Sequence, residues 1–196
     1  PLSLRLMLDE AKARIEAPNT IALHMSTPAA DALELMLVKK IRRIPVLADG
    51  KLAGILTQGD IRAVLGPMEN SVRRVQTRLG DIMTRGVQTV SPEDPLERAA
   101  RIMLEKDIAG LPAVEDGQVV GMITESDIFS AFTRIMGVLE SGGRVVMTIP
   151  EGSDLLDGIR TRTSGLSVRS LAAYPSPAGG WEVVVRMRGR TLARIP

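Results

Sequence analysis

The sequence predicts an α+β protein in which one β-α-β-β-α unit occurs twice and is followed by a shorter α+β segment. The main observation is an internal repeat, because the stretch that begins at Pro28 recurs from Pro95 without a gap. The offset is 67 residues, and near the end of the match it pairs Asp60 with Asp127. Two copies of one unit can pack with approximate twofold symmetry and form two related clefts. This pair of clefts narrows the function more than any single residue does.

The first elements follow from hydrophobic period and turn residues. Apolar residues at helical spacing predict an amphipathic helix over 4–16, and a short apolar run predicts a strand over 20–23. Thr27-Pro28 then predicts a helix start, since proline lacks the N–H that is unpaired in a first turn. One apolar stripe is expected on this helix, formed by Ala29, Ala32, Leu33, Met36 and Leu37.

A hairpin and a second helix complete each copy. In the first copy two β-rich runs, 43–48 and 51–57, flank Asp49-Gly50, a dipeptide that favours tight turns between strands. A helix is expected over 60–65. The second copy has the same predicted elements: strand Val87–Val90, helix Leu96–Lys106, strands Leu111–Val114 and Val119–Thr124 around Asp116-Gly117, and helix Asp127–Ile135.

The C-terminal segment has a different pattern and follows a glycine-containing linker over 137–143. Its order is β-α-β-β, and its last residues, "RTLARIP", are expected to open another helix. The predicted elements are strand Arg144–Ile149, helix Ser153–Arg162 and strands Leu166–Ala173 and Trp181–Met187.

Composition excludes several function classes. Apolar residues make up 44% of the chain and aromatic residues 2%, so the core is aliphatic and few rings are available to stack on unpaired bases. There is no cysteine, which excludes disulfides and thiolate chemistry. No apolar run approaches the roughly 20 residues of a membrane helix, so a cytoplasmic protein without membrane contact is expected. His24 is expected at a surface or turn, and no motif indicates a catalytic residue, a metal or a cofactor.

Two motifs recur in the repeated part. "IRRIPV" and "IAGLPAV" lead into the two hairpins, and "GILTQGDI" and "GMITESDI" follow them at matching places. In these motifs the chain resembles the CBS domain, whose pairs form the compact Bateman module. The resemblance covers about residues 1–136 and implies CBS domain 1 with an N-terminal helix over 1–68 and CBS domain 2 over 69–137. The first copy departs from the pattern where Glu16-Ala17 replace the Met83-Thr84 of the second.

Residues 144–196 resemble part of an ACT domain, a ferredoxin-like βαββαβ fold that often binds amino acids. The run "VVMTIPEGSDLLDGI" suits its first strand, loop and helix, whereas its final strand is not visible. Two CBS domains followed by an ACT domain are similar to bacterial CBS proteins of the acetoin-utilisation type. The C-terminal domain is therefore a candidate for an amino-acid ligand.

The resemblance to CBS pairs implies an adenine nucleotide, of the AMP, ADP or ATP class, in each cleft. Asp60 and Asp127 each offer two acceptor oxygens, which suit a ribose diol. The base is expected against the backbone around Pro45 and Pro112, with four side chains on its face: Ile44, Val46, Leu111 and Ala113. The remaining residues assigned to ligand binding are Thr20, Arg42, Arg43, Thr57, Thr84, Val87 and Thr124.

The same motifs also have structural explanations. Thr-x-x-Asp before a helix is close to a capping box, in which threonine caps the helix and aspartate favours its positive end. Recurrence at one offset keeps the binding interpretation open beside the cap, and one motif can serve both. Arg42 and Arg43 suit phosphate oxygens, although alone they would be a solvated pair. The second copy has Ala109-Gly110 there, which predicts unequal phosphate affinity.

These observations predict a regulatory protein, not an enzyme, that senses adenine nucleotides and passes the ligand state to a partner or to the C-terminal domain. A ligand held between two copies can shift how they pack, because it favours one arrangement over another. A homodimer is expected, since the incomplete C-terminal sheet would otherwise expose an edge. No nucleic-acid partner is expected. The alternative is a ligand-free dimerisation or interaction scaffold.

Overall fold

The fold is known from a computed structural model, which describes residues 21–66, 76–139 and 141–188. The chain divides into two compact units, residues 1–128 and 129–196. The first unit holds both copies of the repeat up to the start of the last helix of the second copy. The predicted N-terminal helix, Thr20 and the final "RTLARIP" lie outside the described residues.

The first copy folds in the predicted order. It contains β1 (Leu23–His24), α1 (Ala29–Val38), β2 (Arg43–Ala48), β3 (Lys51–Thr57) and α2 (Gln58–Leu65). β1 is parallel to β2 and β2 is antiparallel to β3, so the sheet order is β1-β2-β3. The hairpin turns at Asp49 and Gly50, whose φ angles are 49° and 75°. Positive φ at both central residues is the type I′ geometry that Asp-Gly favours, so the predicted hairpin is confirmed.

The second copy repeats the helix, hairpin and second helix of the first copy, and a short helix that the sequence does not predict precedes them. It contains α3 (Leu79–Ile82), α4 (Leu96–Lys106), β4 (Gly110–Glu115), β5 (Gln118–Thr124) and α5 (Glu125–Ile135). The predicted strand over 87–90 is wrong in extent, because only Val90 pairs, in an isolated parallel bridge with Ala113. A φ of 66° at Gly86 turns the chain just before this run, and only its last residue lies alongside β4.

The two copies also match in hydrogen-bond register. Arg43 pairs with Thr57 in the first hairpin, and Gly110 pairs with Thr124 in the second. Both hairpins have a register shift at the same place, after the fourth residue of the first strand. The repeat of sequence is therefore a repeat of structure.

The interior of the first copy consists of aliphatic and methionine side chains, as the composition predicts. From α1 it includes Ala29, Ala32 and Met36, which are all fully buried. The predicted stripe is too wide, because Leu33 is only partly buried and Leu37 is 52% exposed. Buried positions at i, i+3 and i+7 form one narrow line on the helix, and Leu37 lies just outside it.

After α5, the described residues of the second unit form a three-stranded antiparallel sheet and one helix. They contain β6 (Gly143–Ile149), α6 (Leu155–Thr163), β7 (Val168–Pro175) and β8 (Trp181–Met187). The order is β6-β8-β7, so the last strand lies between the first two. The predicted β-α-β-β order is confirmed, whereas the ACT assignment stays a prediction. Across the described ranges, no helix combines the length and hydropathy that spanning a membrane requires.

Candidate ligand-binding clefts

A lead-in segment, residues 83–90, precedes α4 and connects the two copies. Its Thr84 pairs with Ile55 of β3 through two backbone hydrogen bonds of 3.0 Å each. Gly54 permits this approach, because a Cβ there would lie 2.6 Å from Met83 Sδ and 2.9 Å from the Thr84 carbonyl oxygen. The lead-in segment of the second copy thus extends the sheet of the first.

The far end of the lead-in segment is tied to its own copy. The Val90 N–H donates to the Pro112 carbonyl at 3.1 Å, and the Val114 N–H donates to the Val90 carbonyl at 2.8 Å. The segment therefore runs from β3 of the first copy to β4 of the second. An open cavity of about 370 Å³ lies along this path, apart from both Thr-x-x-Asp motifs. It is lined by Lys51, Leu52, Ala53, Gly86, Val87, Thr89, Val114 and Gly117.

The first cleft combines residues of both copies. β3 ends at Thr57, directly before α2, so the first Thr-x-x-Asp motif lies just beyond the contact between Ile55 and Thr84. This cleft, named the Asp60 cleft, is defined by Ile55, Thr57, Asp60 and Thr84. The sequence alone groups these residues by copy, and it does not show that β3 of one copy meets the lead-in segment of the other.

Both Thr-x-x-Asp motifs cap the helices that follow them. Asp60 Oδ2 accepts hydrogen bonds from the Thr57 N–H and hydroxyl, both at 2.8 Å, and Thr57 Oγ1 accepts one from the Asp60 N–H at 3.2 Å. Asp127 Oδ2 accepts from the Thr124 N–H and hydroxyl at 2.9 and 2.6 Å. The first motif is a full capping box, so the structural interpretation of these residues is confirmed. Because each hydroxyl donates its proton to the cap, neither threonine can also donate to a phosphate.

The caps use only one oxygen of each carboxylate. Within the described ranges no hydrogen bond reaches Oδ1 of Asp60 or Asp127, and both side chains are half-buried. The cap bonds hold each carboxylate in a fixed orientation. An oriented acceptor without a protein partner is preorganised for a hydrogen bond from a ligand. These two oxygen atoms, one in each copy, are the main groups in the clefts that can accept a hydrogen bond from a ligand.

Arg43 reaches from the first copy to the second. Its side chain lies over Gly110, where an added Cβ would be 3.2 Å from Arg43 Cδ and 3.5 Å from Arg43 Nε. Arg43 and Gly110 are equivalent residues, 67 positions apart. Equivalent residues can meet only near the axis that relates two copies, and the equivalent strands β3 and β5 also contact each other. The contact therefore marks a pseudo-twofold axis.

The second cleft lies where Arg43 approaches the N-terminus of α5. Burial is the main cause that lowers the pKa of Arg43 below its ordinary value, nearby Arg42 adds to this, and Glu125 opposes it. Arginine remains charged at neutral pH in any case. Glu125 is the first residue of α5 and stands beside the capped Asp127. This cleft, named the Asp127 cleft, is defined by Arg43, Thr124, Glu125 and Asp127.

The side chains predicted to pack on the base lie in the protein interior instead. All four are fully buried: Ile44, Val46, Leu111 and Ala113. Ile44 and Val46 belong to the core of the first copy, together with Met36 of α1. Alternate residues of a strand face opposite sides, so Arg43 faces away from that core. The predicted role of these four side chains is therefore wrong, and only their backbone remains for contact with a ligand.

The other predicted residues occupy varied places. Arg42 and Thr84 are exposed, Pro45 and Pro112 are buried, and Val87 lines the cavity. The structure adds Gly54 and Gly110 to the residues that shape the clefts, and a glycine beside an apolar strand residue is a sequence sign of close backbone approach.

The sequence predicts neither a catalytic histidine nor a metal site. His24 ends β1, is exposed and hydrogen-bonds the Ser26 hydroxyl at 2.8 Å, which confirms the expected surface histidine. In the part of the chain that the structure describes, no group of three or more potential metal ligands occurs.

Comparison with known proteins identifies the family. The family model for the CBS domain matches residues 13–66 and 79–134. The chain therefore belongs to the CBS-domain family, and the predicted tandem pair is confirmed.

Solved structures of CBS pairs share this fold. The CBS pair of protein MJ0100, in complex with 5′-methylthioadenosine and S-adenosyl-L-methionine, is 27% identical, with a TM-score of 0.55 over 68% of this chain and 97% of that one. AcuB from Vibrio cholerae, a protein assigned to acetoin utilization, is 26% identical, with a TM-score of 0.57 over 71% of this chain and 96% of that one.

Two curated relatives are longer proteins. MJ1225 from Methanocaldococcus jannaschii is 34% identical over 111 residues, which are 52% of this chain and 40% of that protein. A homoserine O-acetyltransferase from Methanohalobium evestigatum is 37% identical over 100 residues, 50% of this chain and 19% of that enzyme. The match thus spans less than half the length of these relatives.

Proposed function

We propose that this chain is a regulatory protein that binds adenosine-containing molecules in the two clefts of its CBS pair. Adenine nucleotides of the AMP, ADP or ATP class are the expected ligands. The chain passes the ligand state to a partner or to its C-terminal domain and performs no catalysis itself. It acts as a homodimer.

The observation that carries this proposal is the spare Oδ1 of Asp60 and Asp127. A ribose presents two neighbouring hydroxyl donors, and a carboxylate oxygen that already has a fixed orientation accepts them at little entropic cost. The same arrangement occurs in both copies, as expected if two clefts bind related ligands. The complex of the MJ0100 pair with two adenosine compounds supports this ligand class.

The regulatory role follows from the mixed origin of each cleft. The Asp60 cleft joins β3 of one copy to the lead-in segment of the other, and Arg43 crosses to the second copy. A ligand in either cleft contacts elements of both copies. Its binding energy therefore depends on how the copies pack, and it shifts the chain toward the arrangement it fits best.

The test begins with the purified chain. Mass spectrometry of small molecules released by denaturation identifies any adenosine compound that copurifies with the chain. Calorimetric titration with adenosine, AMP, ATP, 5′-methylthioadenosine and S-adenosyl-L-methionine then measures binding directly. Saturable binding of at least one of them is expected. Flat titrations for the whole panel, with a folded chain that released nothing, would refute the proposal.

A ligand-free dimerisation scaffold is the second candidate, favoured by exposed apolar side chains. Phe129 and Phe132, the chain's two phenylalanines, are 68% and 54% exposed on α5. Large apolar groups in water often mark contact surfaces between proteins. Flat titrations combined with a stable dimer in light scattering would favour this function over ligand sensing.

A further inference from the structure

We propose that Arg43 makes the two clefts unequal, so that the Asp127 cleft takes a phosphorylated adenosine ligand and the Asp60 cleft takes an adenosine compound without phosphate. This inference rests on the proposed function, because it assumes that both clefts hold a ribose through the spare Oδ1. It adds which cleft selects for phosphate and which residue does so.

The position of Arg43 assigns it to the cleft of the other copy. In the sequence Arg43 stands near the Thr57–Asp60 motif, and grouping by copy would place both in one site. In the structure its side chain lies over Gly110, and its charge interacts with Glu125 at the start of α5. Half-buried and protonated, its guanidinium offers planar paired donors to a phosphate.

Gly110 explains why the Asp60 cleft has no equivalent of Arg43. A side chain at position 110 would meet Arg43, since even a Cβ there falls 3.2 Å from its Cδ. The space on the pseudo-twofold axis therefore admits one long side chain. Lys51, which lines the cavity, starts β3 six residues before Thr57, or about 20 Å along an extended strand. That distance is too long for one ribose phosphate to bridge.

Glu125 sets the strength of the selection. The N-terminus of α5 favours an anion, and Arg43 adds a cation, but the Glu125 carboxylate opposes both. The equivalent residue in the first copy is the neutral Gln58, whose amide donates to the Ile41 carbonyl at 2.9 Å. Glu125→Gln gives the second copy the same residue that the first copy has at the equivalent position, Gln58. We expect this change to increase AMP affinity and to leave adenosine affinity unchanged.

The test separates the clefts before it changes Arg43. Asp60→Asn leaves the Asp127 cleft intact, and Asp127→Asn leaves the Asp60 cleft intact, since asparagine keeps one cap acceptor in each. Calorimetry with adenosine and AMP is then repeated after adding Arg43→Met. In the Asp60→Asn chain we expect AMP affinity to fall about 10- to 100-fold and adenosine affinity to stay the same. In the Asp127→Asn chain we expect no change for either probe.

Controls separate a selective role from a structural one. Lys39→Met also removes one positive charge, at an exposed position, and is expected to leave both affinities unchanged. Equal losses for adenosine and AMP after Arg43→Met would show that Arg43 supports the fold, and would overturn the inference while the proposed function stands. Binding of neither probe by the wild-type chain would instead refute the proposed function itself.

An exchange of the two axial residues provides a second, independent test. Arg43→Gly combined with Gly110→Arg moves the cation to the other side of the axis without changing composition. The phosphate preference is expected to move to the Asp60 cleft. If the exchanged chain melts like wild type and its Asp127 cleft still prefers AMP, Arg43 does not select for phosphate. If it does not fold, the Arg43→Met comparison decides the matter.

Discussion

Replacement of Asp127 separates helix capping from ligand binding. Alanine removes both bonds to Oδ2, from the Thr124 N–H at 2.9 Å and from its hydroxyl at 2.6 Å. At about 1 kcal/mol for each bond, the free energy of unfolding should fall by about 1–3 kcal/mol. The loss of a charged acceptor should also weaken binding, so Asp127→Ala changes stability and affinity together.

Asp127→Asn should lower ligand affinity and leave stability nearly unchanged. The amide oxygen still accepts the cap bonds, so unfolding should change by less than about 1 kcal/mol. The spare acceptor becomes an NH₂ donor that cannot accept a ribose hydroxyl. Loss of a hydrogen bond to a charged group costs about 1.5–3 kcal/mol, or roughly 10- to 150-fold in affinity. Urea unfolding and calorimetric titration with AMP measure the two effects on the same sample.

Asp94→Asn is the matched control for this experiment. Asp94 Oδ2 accepts a hydrogen bond from the Ser91 N–H at 2.8 Å in an exposed turn. As with Thr124 and Asp127, the carboxylate lies three residues after the N–H that it accepts from. The control should leave AMP affinity unchanged. If Asp127→Asn also leaves it unchanged, while Asp127→Ala lowers stability, capping alone explains the motif and the reasoning about the spare oxygen fails.

Three further predictions concern packing, ionisation and assembly. Gly54→Ala places a Cβ against Met83 and the Thr84 carbonyl, so urea unfolding should show a loss of about 1–3 kcal/mol, and an unchanged stability would contradict the lead-in contact. The hydrogen bond from Tyr174 to Glu182 raises the pKa of this sole tyrosine, so its absorbance titration should have a midpoint above that of free tyrosine and should fall in Glu182→Gln. Light scattering should show a dimer, and a stable wild-type monomer would refute the assembly. If the exposed ring of Phe132 contacts the partner, Phe132→Ser should weaken that dimer.

Local features of the fold could be predicted from the sequence because their causes are local. Asp-Gly tolerates the positive φ of a type I′ turn, so both hairpins were predictable. The helix predicted from Asp60 begins two residues earlier, at Gln58, because Thr57 is the N-cap and Asp60 the third helical residue. The capping motif can therefore be predicted from the sequence, whereas its position within the helix cannot.

Long-range features of the site could not be predicted from a single sequence. The pairing of Thr84 with Ile55 and the contact of Arg43 with Gly110 join residues of different copies. Hydrophobic period identifies which residues are apolar, but it does not say which side of a strand faces the core. For this reason the sequence pattern predicts contact between Ile44 and the ligand, whereas the structure buries Ile44 in the core.

Native mass spectrometry of the intact wild-type chain with AMP and 5′-methylthioadenosine together tests the central claim most directly. Two clefts with different preferences predict a species in which each chain carries one molecule of each ligand. Asp127→Asn should lose the AMP adduct, and Asp60→Asn should lose the 5′-methylthioadenosine adduct. A folded chain that remains free of both ligands at saturating concentration would contradict the account.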